Sequence, residues 1–138
     1  MDAEARVRLE LSVEFRSELR RFLQRTKVVT AQHGLTPERY DLLLMIKTSP
    51  GEQSTVTELC RTLHLRQTAV TELVKRAEEA GLVTRTQSTR DARVSLLELS
   101  PVGEERLLHA WEALREDRRA LGRVFEELRR RFRAWSGA

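Results

Sequence analysis

Thr55 to Ser100 reads TVTELCRTLHLRQTAVTELVKRAEEAGLVTRTQSTRDARVSLLELS, and this stretch decides the fold. Thr55-Val56-Thr57-Glu58 is a capping box, in which the threonine oxygen takes a backbone N–H and Glu58 reaches back. A short helix follows with Leu59 and Leu63 facing inward. Leu65 and Arg66 turn the chain into a second helix over about 67–80, with Val70, Leu73, Val74 and Ala77 as its apolar set and Gly81 as its cap. At Leu82 the period changes. Leu82 to Thr86 is β-branched and strand-like, Ser88 to Ala92 is turn-like, and Val94 to Leu99 returns as a second strand.

Working outward, residues 4–33 carry apolar side chains at steps of three and four: Val7, Leu11, Phe15, Leu19, Phe22, Leu23 and Val29. His33-Gly34 ends that helix. Thr36-Pro37-Glu38 opens the next with a hydroxyl cap, a proline at the first position and an acid in the first turn. Ser49-Pro50-Gly51 stops it, and Glu52 to Ser54 complete a loop. On the far side, Ser100-Pro101 opens the last helical region. Its stripe runs through Leu107, Leu108, Trp111, Leu114, Leu121, Val124, Phe125, Leu128, Phe132 and Trp135. Arg118 and Gly122 interrupt the stripe, which predicts a break near 117–123.

The fold class expected is mainly α with a small antiparallel β-hairpin. It is a winged helix-turn-helix between long N- and C-terminal dimerisation helices. The terminal stripes are longer than a small domain needs for its own core, so burial against a second copy explains them. One domain over 1–138 is expected, with dimerisation helices at about 1–34 and 101–138 and a DNA-binding lobe at about 36–100.

Composition fits this. The net charge is +4, from 25 basic and 21 acidic residues, which suits a phosphate-bearing partner without requiring one. A single cysteine allows no internal disulfide and points to a reducing cytoplasm. The N-terminus lacks the apolar run of a signal peptide, and the longest apolar run, Leu42 to Ile46, is too short to span a bilayer. No membrane partner is expected. No phosphate loop, HExxH or paired nucleophile appears, so no enzyme and no cofactor is expected.

A polar face of short hydrogen-bonding side chains at a helix N-terminus suits base edges in a major groove. Residues 55–95 hold seven basic and five acidic side chains, so placement of charge matters more than its sum. Arg90, Asp91 and Arg93 crowd the hairpin tip, where two arginines around an aspartate have no obvious packing role. Arg76 suits either a phosphate or a bracing role against the wing. The run Arg129-Arg130-Arg131-x-Arg133 reads as a solvated helix face, because Phe132 and Trp135 continue the stripe through it.

The ordered set Gly34-Leu35-Thr36, Thr71-x-Leu73-Val74-x-Arg76, Gly81-Leu82-Val83-x-Arg85, Asp91-x-Arg93 and Leu99-Ser100-Pro101-x-Gly103 resembles the MarR family of winged-helix regulators. The resemblance implies a homodimer joined through its terminal helices and bound to double-stranded, pseudo-palindromic operator DNA. It also implies release by a small, often phenolic effector or, in some branches, by cysteine oxidation. Carried over, it puts Gln67, Thr68, Thr71 and Lys75 on the base-facing side of the recognition helix, makes Arg93 the wing arginine that reaches the minor groove or phosphates, and makes Asp91 the organiser of the wing. Arg66, Arg76 and Arg90 join the expected DNA-binding set by their positions at the helix start, on the helix and at the wing tip. Two positions depart from the family. Glu72 stands where arginine is common, and Arg66 stands where a good cap is usual.

His33, Tyr40 and Trp111 come from segments that would meet beneath the dimer interface and form the candidate ligand pocket; the simpler reading makes Trp111 dimer core. Cys60 and His64 lie four apart, but no ligand spacing joins them to His33 or His109, so no metal is expected. Cys60 reads as a small buried thiol. The function expected is a sequence-specific, dimeric DNA-binding repressor. The rivals are a winged-helix dimer that binds another protein and a sensor with secondary DNA affinity.

Overall fold

The computed structural model describes residues 1–136. Helix α1 spans Ala3–Gln32, α2 Pro37–Lys47, α3 Val56–Leu63, α4 Gln67–Glu79, α5 Pro101–Ala113 and α6 Arg115–Ser136. Strands β1 (Val83–Gln87) and β2 (Ser95–Leu99) pair antiparallel, with Val83 opposite Leu99 and Gln87 opposite Ser95. The expected fold class, mainly helical with one winged hairpin, is the observed one. Two compact units are present: Thr30–Trp111, and Met1–Val29 together with the segment from Glu112 onward.

The first of these holds the winged helix. Leu42, Leu43 and Ile46 of α2, Leu59 of α3, Val70, Val74 and Ala77 of α4, and Leu82 and Leu97 at the hairpin base are all fully buried. Each large aliphatic side chain so buried contributes about 1.5–3 kcal/mol. Local signals set the ends of these helices. Thr36 accepts the amide of Arg39 at 3.1 Å, and Thr55 accepts that of Glu58 at 3.2 Å. Gly34 and Gly81 take left-handed φ of 71° and 73° where α1 and α4 stop.

The motif at the start of α5 has a physical reason. The Ser100 hydroxyl donates to the carbonyl of Gly81 at 2.6 Å and accepts the amide of Gly103 at 3.0 Å. A β-carbon added at Gly103 would sit 2.1 Å from the Leu82 carbonyl oxygen. Only glycine lets α5 start against the entry to the wing.

Four expectations are corrected. Glu58 does not reach back to close the capping box; its carboxylate pairs with Arg61 one turn on, because both groups are exposed and in i,i+3 register. The turn between α3 and α4 hinges on His64, which takes φ 55° and ψ 39°, ahead of Leu65 and Arg66. The loop after α2 contains a 3-10 turn over Pro50–Glu52, and Ser54 bridges to Leu97 through bonds of 3.0 and 2.8 Å, adding a one-residue rung to the hairpin. The break in the last helical region falls at Leu114, not at 117–123. Leu114 is buried and its carbonyl accepts the amide of Arg118, while Glu116 and Asp117 supply the acidic first turn of α6. Gly122 sits inside α6 facing open space, where a single glycine costs only about 1 kcal/mol.

In the other unit α1 and α6 run antiparallel. Arg25 pairs with Asp117 at 3.1 Å, Phe15 stacks on Phe125 with ring centroids 5.3 Å apart, and Glu14 pairs with Arg131 at 2.7 Å. Leu11, Val29 and Leu128 are buried, whereas Val7, Phe15, Leu23 and Phe132 of the expected stripes stay largely exposed. The side chain of Trp135, the last member of the stripe, lies outside the described residues. No helix among the described residues is long and apolar enough to cross a membrane.

Candidate nucleic-acid interface

Helix α4 divides by burial. Val70, Val74 and Ala77 go inward, and Gln67, Thr68, Thr71, Glu72, Lys75 and Arg76 are all exposed. Thr68, Thr71 and Lys75 follow at steps of three and four, so they form one strip along the helix. Arg66 holds the N-cap position with extended backbone and no side-chain bond to the helix, which leaves the first amides of α4 open. Beside the strip, Arg76 pairs with Glu72 at 3.0 Å across one turn. The departure at Glu72 therefore has a local effect: it compensates the nearest arginine.

The wing tip is built from its own side chains. The Ser88 hydroxyl accepts the amides of Arg90 and Asp91 at 3.2 and 3.4 Å, which closes the turn. Asp91 accepts the amide of Arg93 at 3.0 Å and its Nε at 3.2 Å through one oxygen, and the other oxygen receives Nη2 at 3.4 Å. The Arg93 amide, and after it the Arg93 side chain, hold the Asp91 carboxyl below the ordinary aspartate range. Arg93 keeps 90% of its side-chain surface exposed. At the wing base, Glu78 receives Arg85 at 2.7 and 3.2 Å and ties α4 to β1. Among the described residues, Arg66, Lys75 and Arg90 have no carboxylate within ion-pairing distance.

All the residues expected on DNA are exposed and belong to one compact unit. Tyr40 is buried, Trp111 is 43% exposed, and the His33 ring lies 6.2 Å from that of His109, tilted by 58°. Cys60 is half-buried in α3. Sequence reasoning missed Ser88, whose signal was a hydroxyl at the first position of a four-residue turn, and the Glu78–Arg85 tie, which joins residues seven apart in different elements. It also missed a groove of about 350 Å³ between α2 and α4, lined by Thr36, Arg39, Leu65, Ala69, Leu73 and Arg76 among others.

Two helices joined at a left-handed residue, a polar outer face on the second, and a two-stranded basic wing define a winged helix-turn-helix protein. Residues 33–94 match the sequence pattern of the MarR family. A putative transcriptional regulatory protein for the hcr operon of Thauera aromatica is 28% identical over 103 residues, covering 74% of this chain; the chain spans 61% of that relative's length. A probable transcriptional regulator from Pseudomonas aeruginosa is 28% identical, with TM-score 0.58, over 75% of this chain and 78% of its own. A MarR family transcription regulator superposes with TM-score 0.70 at 22% identity, over 89% and 78% of the two chains. A variant of MarR from E. coli, solved in complex with operator DNA, superposes with TM-score 0.68 at 18% identity, over 93% and 85%. Residues 33–94 thus carry a MarR-family pattern on a winged helix-turn-helix fold.

Proposed function

We propose that this protein is a sequence-specific regulator of transcription, a homodimeric repressor that binds pseudo-palindromic double-stranded DNA in the cytoplasm. The observation that carries the reading is the exposed strip Thr68, Thr71 and Lys75 on α4, in the same compact unit as a wing arginine held in place by Asp91. In this mechanism Gln67, Thr68, Thr71 and Lys75 meet base edges in the major groove, while Arg66, Arg76, Arg90 and Arg93 meet phosphates or the minor groove. Support for a DNA ligand also comes from the E. coli relative solved with its operator. The exposed apolar side chains of α1 and α6 support a second copy as the dimer partner. Release by a small-molecule effector is part of the proposal and rests on the family alone.

A protein-binding module is the second reading. It is favoured by one observation: Thr30–Trp111 holds 10 basic and 11 acidic side chains, so the winged-helix unit has no net positive charge. Fluorescence anisotropy on genomic fragments separates the two. A regulator prefers some fragments over random duplex and loses affinity steeply with salt. Binding of no duplex at low salt would end the regulator reading.

A further inference from the structure

The positive charge of this protein is not where its DNA-reading residues are. Helix α6 holds eight arginines and four acids, an excess of four, and the remaining residues hold 17 basic and 17 acidic side chains. The whole net charge of +4 therefore resides in one helix of the other unit.

The charge has a direction. At 100° per residue, Arg119, Arg123, Arg130 and Arg133 fall within an arc of about 80°. The opposite side carries Leu128, which is buried, and Phe125, which stacks on Phe15. The outward face holds arginine, glutamate, Gly122 and Ala134 and no large apolar side chain. Arg119 pairs with Glu116 at 3.1 Å and Arg130 with Glu127 at 2.8 Å, all four groups more than half exposed. Such pairs contribute little and exchange readily for another anion. Among the described residues, Arg123 and Arg133 have no carboxylate within ion-pairing distance.

We infer that this face of α6 is a second, sequence-independent contact for the phosphate backbone of duplex DNA. Three features select that occupant. The ridge from Arg119 to Arg133 is about 21 Å long, a length over which a duplex carries roughly a dozen phosphates. Its cations are all arginines, whose planar forks match phosphate oxygens. It lacks the aromatic or aliphatic anchors on which protein interfaces depend. A membrane surface fits poorly, because a helix lying on lipid must offer its apolar face, and the arginine ridge lies on the side of α6 opposite Leu128 and Phe125. The contact uses no residue of α4 or the wing, so it does not rest on the operator reading.

The test uses the full chain and a random-sequence 30-base-pair duplex, with affinity followed by anisotropy from about 50 to 200 mM salt. The variant carrying Arg119→Gln, Arg123→Gln, Arg130→Gln and Arg133→Gln should bind at least about tenfold more weakly at low salt. Its slope of log affinity against log salt should be smaller by about three to four. The matching set of four Arg→Lys changes should keep the slope. Wild-type affinity and slope in the glutamine variant, at unchanged helicity, would overturn the inference. So would polyglutamate competing as well as duplex, which points to an acidic protein, binding to anionic vesicles in preference to duplex, or a changed sedimentation state, which points to a contact between copies. A separate Lys75→Ala, Arg93→Ala variant should lose preference for a selected fragment. If no fragment is ever preferred while the α6 variant still weakens random binding, the operator reading fails and this one stands.

Discussion

Asp91 and Arg93 form a closed pair at the wing tip: one carboxylate oxygen accepts both the backbone amide of Arg93, at 3.0 Å, and its Nε, at 3.2 Å. The bond to the backbone fixes the turn, and the bond to the side chain aims the guanidinium. Asp91→Asn adds a positive charge to the wing by removing a negative one, so simple electrostatics predicts tighter DNA binding. If Asp91 acts by ordering Arg93, affinity should instead fall by roughly two- to tenfold, because the arginine must be immobilised on binding. Anisotropy with a selected fragment decides, and a rise in affinity would reject the organising role.

The same pair predicts a pH dependence. The Asp91 carboxyl is held below the ordinary aspartate value, first by the Arg93 amide and then by its side chain. A depressed carboxyl contributes order that is complete above the unfolded value and is lost as pH falls through the folded one. The Arg93 amide resonance should therefore stay constant from neutral pH down to about 4, the ordinary aspartate range, and move only below it. Movement centred above that range would contradict the pairing.

Glu72 and Arg76 give the opposite kind of test. Glu72→Gln releases Arg76 from its 3.0 Å partner and removes a carboxylate from the exposed face of α4. Affinity for random duplex should rise, with a salt slope larger by about one. Discrimination between fragments should fall if the carboxylate accepts from a cytosine amino group. Unchanged random binding would mean that this flank of α4 does not approach phosphates.

Two glycines should respond with opposite sign. Gly103→Ala forces a β-carbon against the Leu82 carbonyl and should destabilise the fold by about 1–3 kcal/mol or more. Gly122→Ala, on an open helix face, should stabilise it by about 0.5–1 kcal/mol. Urea denaturation measures both. Equal effects would show that α5 does not start against the wing entry as described.

Arg66→Ser supplies the cap that α4 lacks and should raise stability by about 0.5–2 kcal/mol while weakening DNA binding. A gain in both would remove Arg66 from the interface.

Much of this was legible because local chemistry acts locally. Thr36, Thr55, Gly81 and Ser100 announce helix ends within a few residues, and the switch from helical to alternating period at Leu82 announces the wing. What stayed hidden depends on partners distant in sequence or on competition between weak effects. Ser54 meets Leu97 across 43 positions, and nothing in Glu52 to Ser54 marks a bridging residue. Gly122 looked like a break, yet one exposed glycine is too weak to end a helix that Glu116 and Asp117 begin. The polar face of α4 was readable from its period, but the pairing of Glu72 with Arg76 had to be seen, because either residue alone suits several roles. The separation of charge between units was present in the composition all along and emerged only when the chain was divided.

The bridge at Ser54 has a last consequence. A two-stranded hairpin exposes two rows of unpaired backbone groups, each a template for another chain. By giving and taking hydrogen bonds with Leu97, Ser54 occupies the outer edge of β2 at its centre. That leaves β1 as the more open edge, and there Thr84, Arg85, Thr86 and Gln87 are all exposed and polar. A wing that must stay accessible is thereby kept from recruiting other wings into a continuous sheet, and loss of the Ser54 bridge would be felt as aggregation at high concentration before it was felt as unfolding.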